Sequence, residues 1–230
     1  MYTQDQLKAM VADAAKNEVL SNMAPGGILG IGTGSTANLF IDAIAPHKDH
    51  FSGVISSSQA STERLQKHGF KVLDSNSVVS VPIYVDGADE IDSQGYMLKG
   101  GGGALTREKI VAQLAQSFVC ICDASKEVDI LGKFPLPVEV IPMAQAQVTR
   151  VLESLGATVS LRKIKGSDQI FVTDNQGWIL DASGLKITDP VSLESEVNQI
   201  PGVICNGLFA RRKADVLLIG ESEGVRRQIY

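Results

Sequence analysis

Cysteine is scarce in this sequence, and so are aromatic residues. The three cysteines, Cys120, Cys122 and Cys205, are an odd number without framework spacing. That excludes a disulfide scaffold and points to a reducing cytoplasm. Cys120-x-Cys122 lies in the apolar run FVCICD, so both read as core residues. Histidine is as rare. His47, His50 and His68 do not join carboxylates at metal-ligand spacing, and neither a metal nor another cofactor is expected. His47-x-x-His50 follows Pro46 in a polar loop and reads as solvated. Positive charge is not in excess either. Lys and Arg total 21 against 26 Asp and Glu, a formal net charge of -5, and no basic stripe stands out, so nucleic acid is not an expected partner. No apolar run reaches the roughly 18 residues that a membrane helix needs. The stretch TQDQLKAMVADAAKNEVL is charged and amphipathic, with Leu7, Met10, Val11, Ala14 and Ala15 on one helical face, unlike a secretory leader.

What is present fits a globular chain with a sizeable core: 230 residues, 44% hydrophobic. The first half alternates strand and helix patterns. Strands are expected at 26–32, 51–56, 71–74, 81–86, 96–101 and 118–123, with helices at 35–45, 58–69 and 104–117. Alternation of this kind predicts an α/β fold with a mostly parallel, Rossmann-like sheet covered by helices on both faces. The pattern changes near Leu131, where GKFPLPVEVIPM carries three prolines. Strand, helix (145–155), strand TVSLRKI, hairpin IFVTDNQGWILDA, helix PVSLESEVNQI and strand GVICNG follow, close to an α+β, ferredoxin-like module. ADVLLIGE (214–221) then reads as a strand returning to the parallel sheet. The expected organisation is a large domain of residues 1–131 and 206–230, with a small domain of residues 132–205 inserted in it. The tail after Gly224 has no placement.

Three loops leave strand ends where a parallel sheet binds ligands. GIGTGST (30–36) is a glycine-rich turn entering a helix, which offers amides and the positive helix end to an anion. It fails the dinucleotide fingerprint, because Ser35 stands where a third glycine belongs and no acid ends the second strand. It also fails the Walker pattern. What remains is Thr33, Gly34, Ser35 and Thr36, hydroxyls and amides suited to one phosphate. YVDGADEID (84–92) packs four acids after an apolar strand. Like charges this close disturb one another, and the Gly87-Ala88 step lets Asp86 and Asp89 turn toward one pocket. LKGGGGALTREK (98–109) sets four glycines after Lys99 and before a helix whose first turn holds Glu108. Alone, each loop also reads as something ordinary: a capped turn, a solvated acidic loop, a flexible link. Together they resemble an oxyanion site with a base beside it. Lys126 in CDASK follows another strand end. Acids, lysines, amides and a phosphate loop suggest proton shuttling next to a carbonyl, through an enediolate.

GIGTGSTA, YVDGADEID, KGGGGALTREK, DASK, LGKFPLPVEVIP and NGLFA…ADVLLIG, in unbroken order from about Thr3 to Gly220, resemble the type A ribose-5-phosphate isomerases. The resemblance implies metal-free conversion of ribose 5-phosphate to ribulose 5-phosphate in the pentose phosphate pathway, by a cytoplasmic homodimer or homotetramer. It places the general base on Glu108, the paired aspartates on Asp86 and Asp89, and the site lysine on Lys99. Substrate contacts fall on Thr33 to Thr36, on Gly87 and Ala88, on Gly100, Gly101 and Gly102, and on Lys126. Lys8 is a further candidate phosphate contact. RKIKGSDQIF, longer than in compact members, is expected to lie away from this chemistry. Two alternatives are a coenzyme A transferase-like enzyme using a glutamate nucleophile, and a sugar-phosphate sensor that binds without turnover. The first needs room for a long thioester cofactor and leaves Lys99 beside the aspartates unexplained. The second normally carries an added DNA-binding segment.

Overall fold

Thr3 opens the first helix with a capping box. Its side chain accepts the Gln6 N–H at 3.2 Å, and the Gln6 side chain accepts the Thr3 N–H at 2.8 Å. The structure, a computed structural model, describes residues 2–230. Helix α1 (Gln4–Asn22) is followed by β1 (Gly27–Ile31), α2 (Ser35–Ile44), β2 (Phe51–Ser56), α3 (Gln59–Lys67) and β3 (Val81–Gly87). Two short strands, β4 (Glu90–Ile91) and β5 (Met97–Leu98), precede α4 (Leu105–Leu114) and β6 (Ala115–Asp123). Next come β7 (Leu136–Val140), α5 (Gln145–Ser154), β8 (Thr158–Leu161), β9 (Trp178–Ser183) and α6 (Pro190–Asn198). The chain ends with β10 (Val203–Asn206), β11 (Leu208–Phe209), β12 (Val216–Glu221) and β13 (Gly224–Ile229). No helix among the described residues is long and apolar enough to cross a membrane.

The chain divides into two compact units. The first comprises the residues through Ala88, Arg107–Glu127 and Arg212–Tyr230; the second comprises Asp89–Thr106 and Val128–Arg211. In the first, six strands lie in the order β13-β12-β6-β3-β1-β2, all parallel except β13, which runs against β12. Strand alternation splits its faces. Leu29, Ile31, Ile83, Val85, Val119, Ile121 and Leu218 share a core with Val11, Ala15, Phe40, Ile41 and Ile44 of α1 and α2. Gly30, Tyr84 and Phe118 look the other way, where Val111 of α4 packs close to Gly30. Removing one fully buried chain such as Ile41 by change to Ala costs about 2–5 kcal/mol, a large share of a typical ~5–15 kcal/mol stability. Parallel pairing gathers the strand ends at one edge: Ile31 lies beside Ser56 and Val85, Gly87 beside Ile121, and Asp123 beside Gly220.

The second unit holds a four-stranded antiparallel sheet in the order β10-β7-β9-β8. Its chain order β7-α5-β8-β9-α6-β10 is the split βαβ, ferredoxin-like arrangement. Val148, Leu152 and Val197 of the helices pack on Leu136, Val138, Val140, Leu180 and Ala182 of the sheet. A small sheet, β11-β5-β4, completes the unit.

The architecture therefore matches the expected fold class, and several details differ. Segment 89–106 belongs with the second unit and not with the parallel sheet. Long-range pairing draws it there: β5 pairs with β11, the Lys99 N–H donates to the Gly207 carbonyl at 2.8 Å, and the buried Glu90 carboxylate accepts the N–H groups of Gly132 and Phe134. Residues 71–74 form no strand, only one bridge from Val72 to Val54. Helix α4 stops at Leu114, and Ala115 already pairs with Val81, so β6 takes over the end of the expected helix. The first arm of the expected hairpin is reduced to two bridges, Lys163–Ile170 and Val172–Trp178. The unplaced tail is the edge strand β13. Arg226 pairs with Glu221 (2.7 Å) and Glu127 (2.8 Å), and Arg227 with Glu18 (2.8 Å); charges of this kind also discourage edge-to-edge association. His50 is not simply solvated: its Nε2 bonds the Met23 carbonyl at 2.9 Å and its ring stands edge-on to Phe51.

Candidate active site

In the first unit, the loop after β1 is built around one buried carboxylate. Asp86, the last residue but one of β3, has no exposed surface. Its Oδ1 accepts the N–H of Thr33 at 3.0 Å and of Gly87 at 2.7 Å, and its Oδ2 accepts the Tyr84 hydroxyl. Gly32 has to be glycine here, because a Cβ would stand 1.9 Å from the Asp86 carboxyl carbon. The Thr33 hydroxyl bonds the Ser57 hydroxyl at 2.8 Å, tying the loop to the end of β2. Held this way, Gly34 and Ser35 are exposed and Thr36 half-exposed at the start of α2. The unbonded amides of a helix start and its dipole favour an anion at that place.

Tyr84 is buried against Phe118, ring centroids 4.7 Å apart. Burial pushes its hydroxyl well above the ordinary tyrosine value, and the charges of Asp86 and Glu108 push it further. Both carboxylates therefore act on one phenol. Glu108 is 3% exposed. It precedes Val111 by three residues on α4, so it shares the helix face that meets Gly30 and Tyr84. Because α4 leads straight into β6, its N-terminal turn lies toward the edge where the parallel strands end.

The two candidate lysines of this unit, Lys126 and Lys8, take the same edge. Lys126 ends a short turn, Ala124–Lys126, directly after β6. Burial pushes the Asp123 carboxyl up, but hydrogen bonds from Ser125 and Gln4 and the charge of Lys126 bring it below the usual carboxylate value. The Gln4 amide reaches Asp123 at 3.3 Å, so the start of α1 meets the end of β6. Lys8, one turn on, is on the same helix face, with its side chain 16% exposed. The first unit thus brings together Thr33 to Thr36, Asp86, Gly87, Glu108, Lys126 and Lys8.

The second unit carries the other set. Asp89, three residues after Asp86, accepts the Gly101 N–H at 2.7 Å. Lys99 is 3% exposed, its ammonium 5.4 Å from the centre of the Phe209 ring. Gly101 and Gly102 are exposed, whereas Gly100 and Gly103 are buried. The loop closes on itself through Gly103 N–H to Gly100 carbonyl, 2.9 Å. RKIKGSDQIF is not remote from it: the Arg162 guanidinium donates to the carbonyls of Gly100 and Gly101.

Sequence reasoning misses Tyr84, Ser57 and Arg162. Tyr84 carries a signal, since residues two apart on a strand share a face and a buried tyrosine needs a partner for its hydroxyl. Ser57 sits in a run of three serines that nothing distinguishes. Arg162 has no local signal.

Residues 53–224 match the family described as ribose 5-phosphate isomerase A (phosphoriboisomerase A). A relative named ribose-5-phosphate isomerase A, from Polynucleobacter asymbioticus, is 63% identical over 232 residues, covering 97% of this chain and 98% of the relative. The crystal structure of ribose 5 phosphate isomerase A from Neisseria gonorrhoeae is 42% identical with a TM-score of 0.93, covering 100% of this chain and 98% of that one. A D-ribose-5-phosphate isomerase solved in complex with phospho-erythronic acid is 34% identical with a TM-score of 0.91, covering 100% of both chains. The chain belongs to the ribose 5-phosphate isomerase A family.

Proposed function

We propose that this chain interconverts ribose 5-phosphate and ribulose 5-phosphate by proton transfer through an enediolate. The observation that carries the reading is one sheet edge holding both a phosphate-type loop, Thr33 to Thr36, and a buried carboxylate, Glu108, beside Tyr84 and Asp86. Glu108 takes the proton from C2 of the open-chain aldose. The C–H electrons form the C1–C2 double bond, and negative charge passes to O1. Glu108 then returns the proton to C1, while the O2 proton moves to O1 and leaves the C2 carbonyl. Atoms and charge balance without a co-reactant.

The remaining roles follow the charges. Lys99 and the amides of Gly100 and Gly102 stabilise the enediolate oxygens, and Asp89, held by the Gly101 N–H, and Asp86 handle hydroxyl protons. Three internal donors on Asp86 give it a second task, holding the phosphate loop in shape. Thr33, Gly34, Ser35, Thr36, Lys126 and Lys8 take the phosphate; Gly87 and Ala88 contact the sugar. A related isomerase is described in complex with phospho-erythronic acid, a phosphorylated acid whose carboxylate resembles an enediolate in charge. A homodimer or homotetramer in the cytoplasm belongs to the same reading. The cysteines, all buried and none in a disulfide, fit that compartment, and light scattering tests the assembly. The decisive assay is spectroscopic detection of ketose formed from ribose 5-phosphate. Turnover supports the reading. Saturable binding without turnover would support a sensor instead.

A further inference from the structure

The clearest unassigned contact in the second unit is made by Arg162, which follows β8. Its side chain is 13% exposed. Nε donates to Asp181 Oδ2 at 2.9 Å and Nη2 to Asp181 Oδ1, a two-pronged pair that fixes the guanidinium plane. Nη1 donates to the Gly100 carbonyl at 2.8 Å and to the Gly101 carbonyl at 3.1 Å. The N–H of Phe171 returns to the Arg162 carbonyl at 3.0 Å, and the Phe171 ring covers Gly103. A Cβ there would stand 2.4 Å from Phe171 Cζ, and φ is +81°, so only glycine fits.

These contacts dictate where the loop amides point. In a trans peptide the C=O and the following N–H lie on opposite sides, and the described residues include no cis bonds. Holding the Gly100 carbonyl turns the Gly101 N–H away from Arg162, and that N–H meets Asp89 Oδ2 at 2.7 Å. Holding the Gly101 carbonyl turns the Gly102 N–H to the same side. A cation on the carbonyl oxygens also polarises both peptides and makes their N–H groups stronger donors.

We propose that Arg162, clamped by Asp181, is a positioning residue for the isomerisation: it aims the Gly101 and Gly102 amides and, through Gly101, the Asp89 carboxylate. The proposal rests on the function assigned above. Steady-state kinetics of the purified full chain test it, comparing wild type with Arg162→Ala, Arg162→Lys and Asp181→Asn. Arg162→Ala is expected to lower kcat about 10²-fold, the scale of a small misplacement of reacting groups, with KM within about twofold. Arg162→Lys should stay nearer the Ala variant than wild type, because an ammonium cannot serve both the fork and two carbonyls. Added guanidinium ion should restore part of the kcat of Arg162→Ala and none of Arg162→Lys.

A merely structural role gives a different result: a lower melting temperature, normal kcat per folded molecule and no rescue. An Arg162→Ala variant with kcat within about twofold of wild type overturns the proposal, as does a rise in KM with kcat unchanged. If Arg162→Ala does not fold, Asp181→Asn decides. It is nearly isosteric, and a drop of about tenfold confined to kcat is expected; an unchanged kcat overturns the proposal. Wild-type protein that binds ribose 5-phosphate without turnover would instead overturn the function itself, which the wild-type assay reads separately.

Discussion

The two units hold their candidate residues by different means. In the first, Asp86 is braced from the end of the parallel sheet: by Tyr84 two residues earlier, by Gly87 next to it, and by Thr33 from the loop of the neighbouring strand. In the second, the exposed glycine loop is held from far along the chain, by Arg162 and its partner Asp181. A strand end can carry its own supports because strand alternation supplies them. Four glycines carry no side chains and must be fixed from outside.

The largest effect separates a reacting group from its supports. Glu108→Gln is nearly isosteric but cannot accept the carbon-bound proton, so it should keep its circular dichroism and lose about 10²–10⁴-fold in rate. A variant holding more than about a tenth of the wild-type rate would remove Glu108 from the role. The next effect sets one unit against the other. Lys99→Met, in the second, should lower kcat by about 10²-fold, because charge on the enediolate oxygens exists near the transition state. Ser35→Ala or Thr36→Ala, in the first, should mainly raise KM, by about threefold to tenfold, since each removes one hydrogen bond to a phosphate bound alike in both states. If both sets changed the same parameter, the division into oxyanion and phosphate ends would be wrong.

The contrast also explains what was legible. The glycine loop after β1, Asp86, Asp89, Lys99 and Glu108 stand in short motifs, and strand–helix alternation is enough to predict a parallel sheet with a ferredoxin-like module. Tyr84 was hidden because a strand position explains an aromatic equally well. Segment 89–106 was misplaced because its partners, Gly132, Phe134, Gly207 and Leu208, are far away in sequence. Arg162 lies in a stretch whose reach to Gly100 no local pattern encodes. Pairing across long separations is what sequence patterning reads least well.

Smaller effects sharpen the picture of the first unit. The Tyr84 hydroxyl is raised above its ordinary 10.0 by burial first and by Asp86 and Glu108 next. A group raised on folding contributes stability that is complete below the unfolded value and lost as pH rises through the folded one. Wild-type melting temperature should therefore fall more steeply above pH 10.0 than that of Tyr84→Phe; parallel curves would show that the phenol is not perturbed. At the other extreme, Asp42 of α2 is held below its usual 3.8 mainly by the hydrogen bond from Arg64 of α3, with His68 adding. A lowered carboxylate contributes stability above the unfolded value and loses it as pH falls through the folded one. Asp42→Asn should therefore be slightly destabilising at neutral pH and indistinguishable from wild type well below pH 3.8. The pair is partly exposed, so the effect is small, and an equal deficit at both pH values would contradict it.

The central claim is that the hydrogen moves as a proton through a protein carboxylate. The most direct measurement is conversion of ribose 5-phosphate in D₂O, followed by NMR of the product, with and without prolonged EDTA treatment. A base that holds the proton transiently exchanges part of it with solvent. Deuterium is expected on the carbon next to the ketose carbonyl, at a rate that EDTA leaves unchanged. Product without label, together with activity lost in EDTA and restored by a divalent metal, would contradict the account and favour hydride transfer between the carbons.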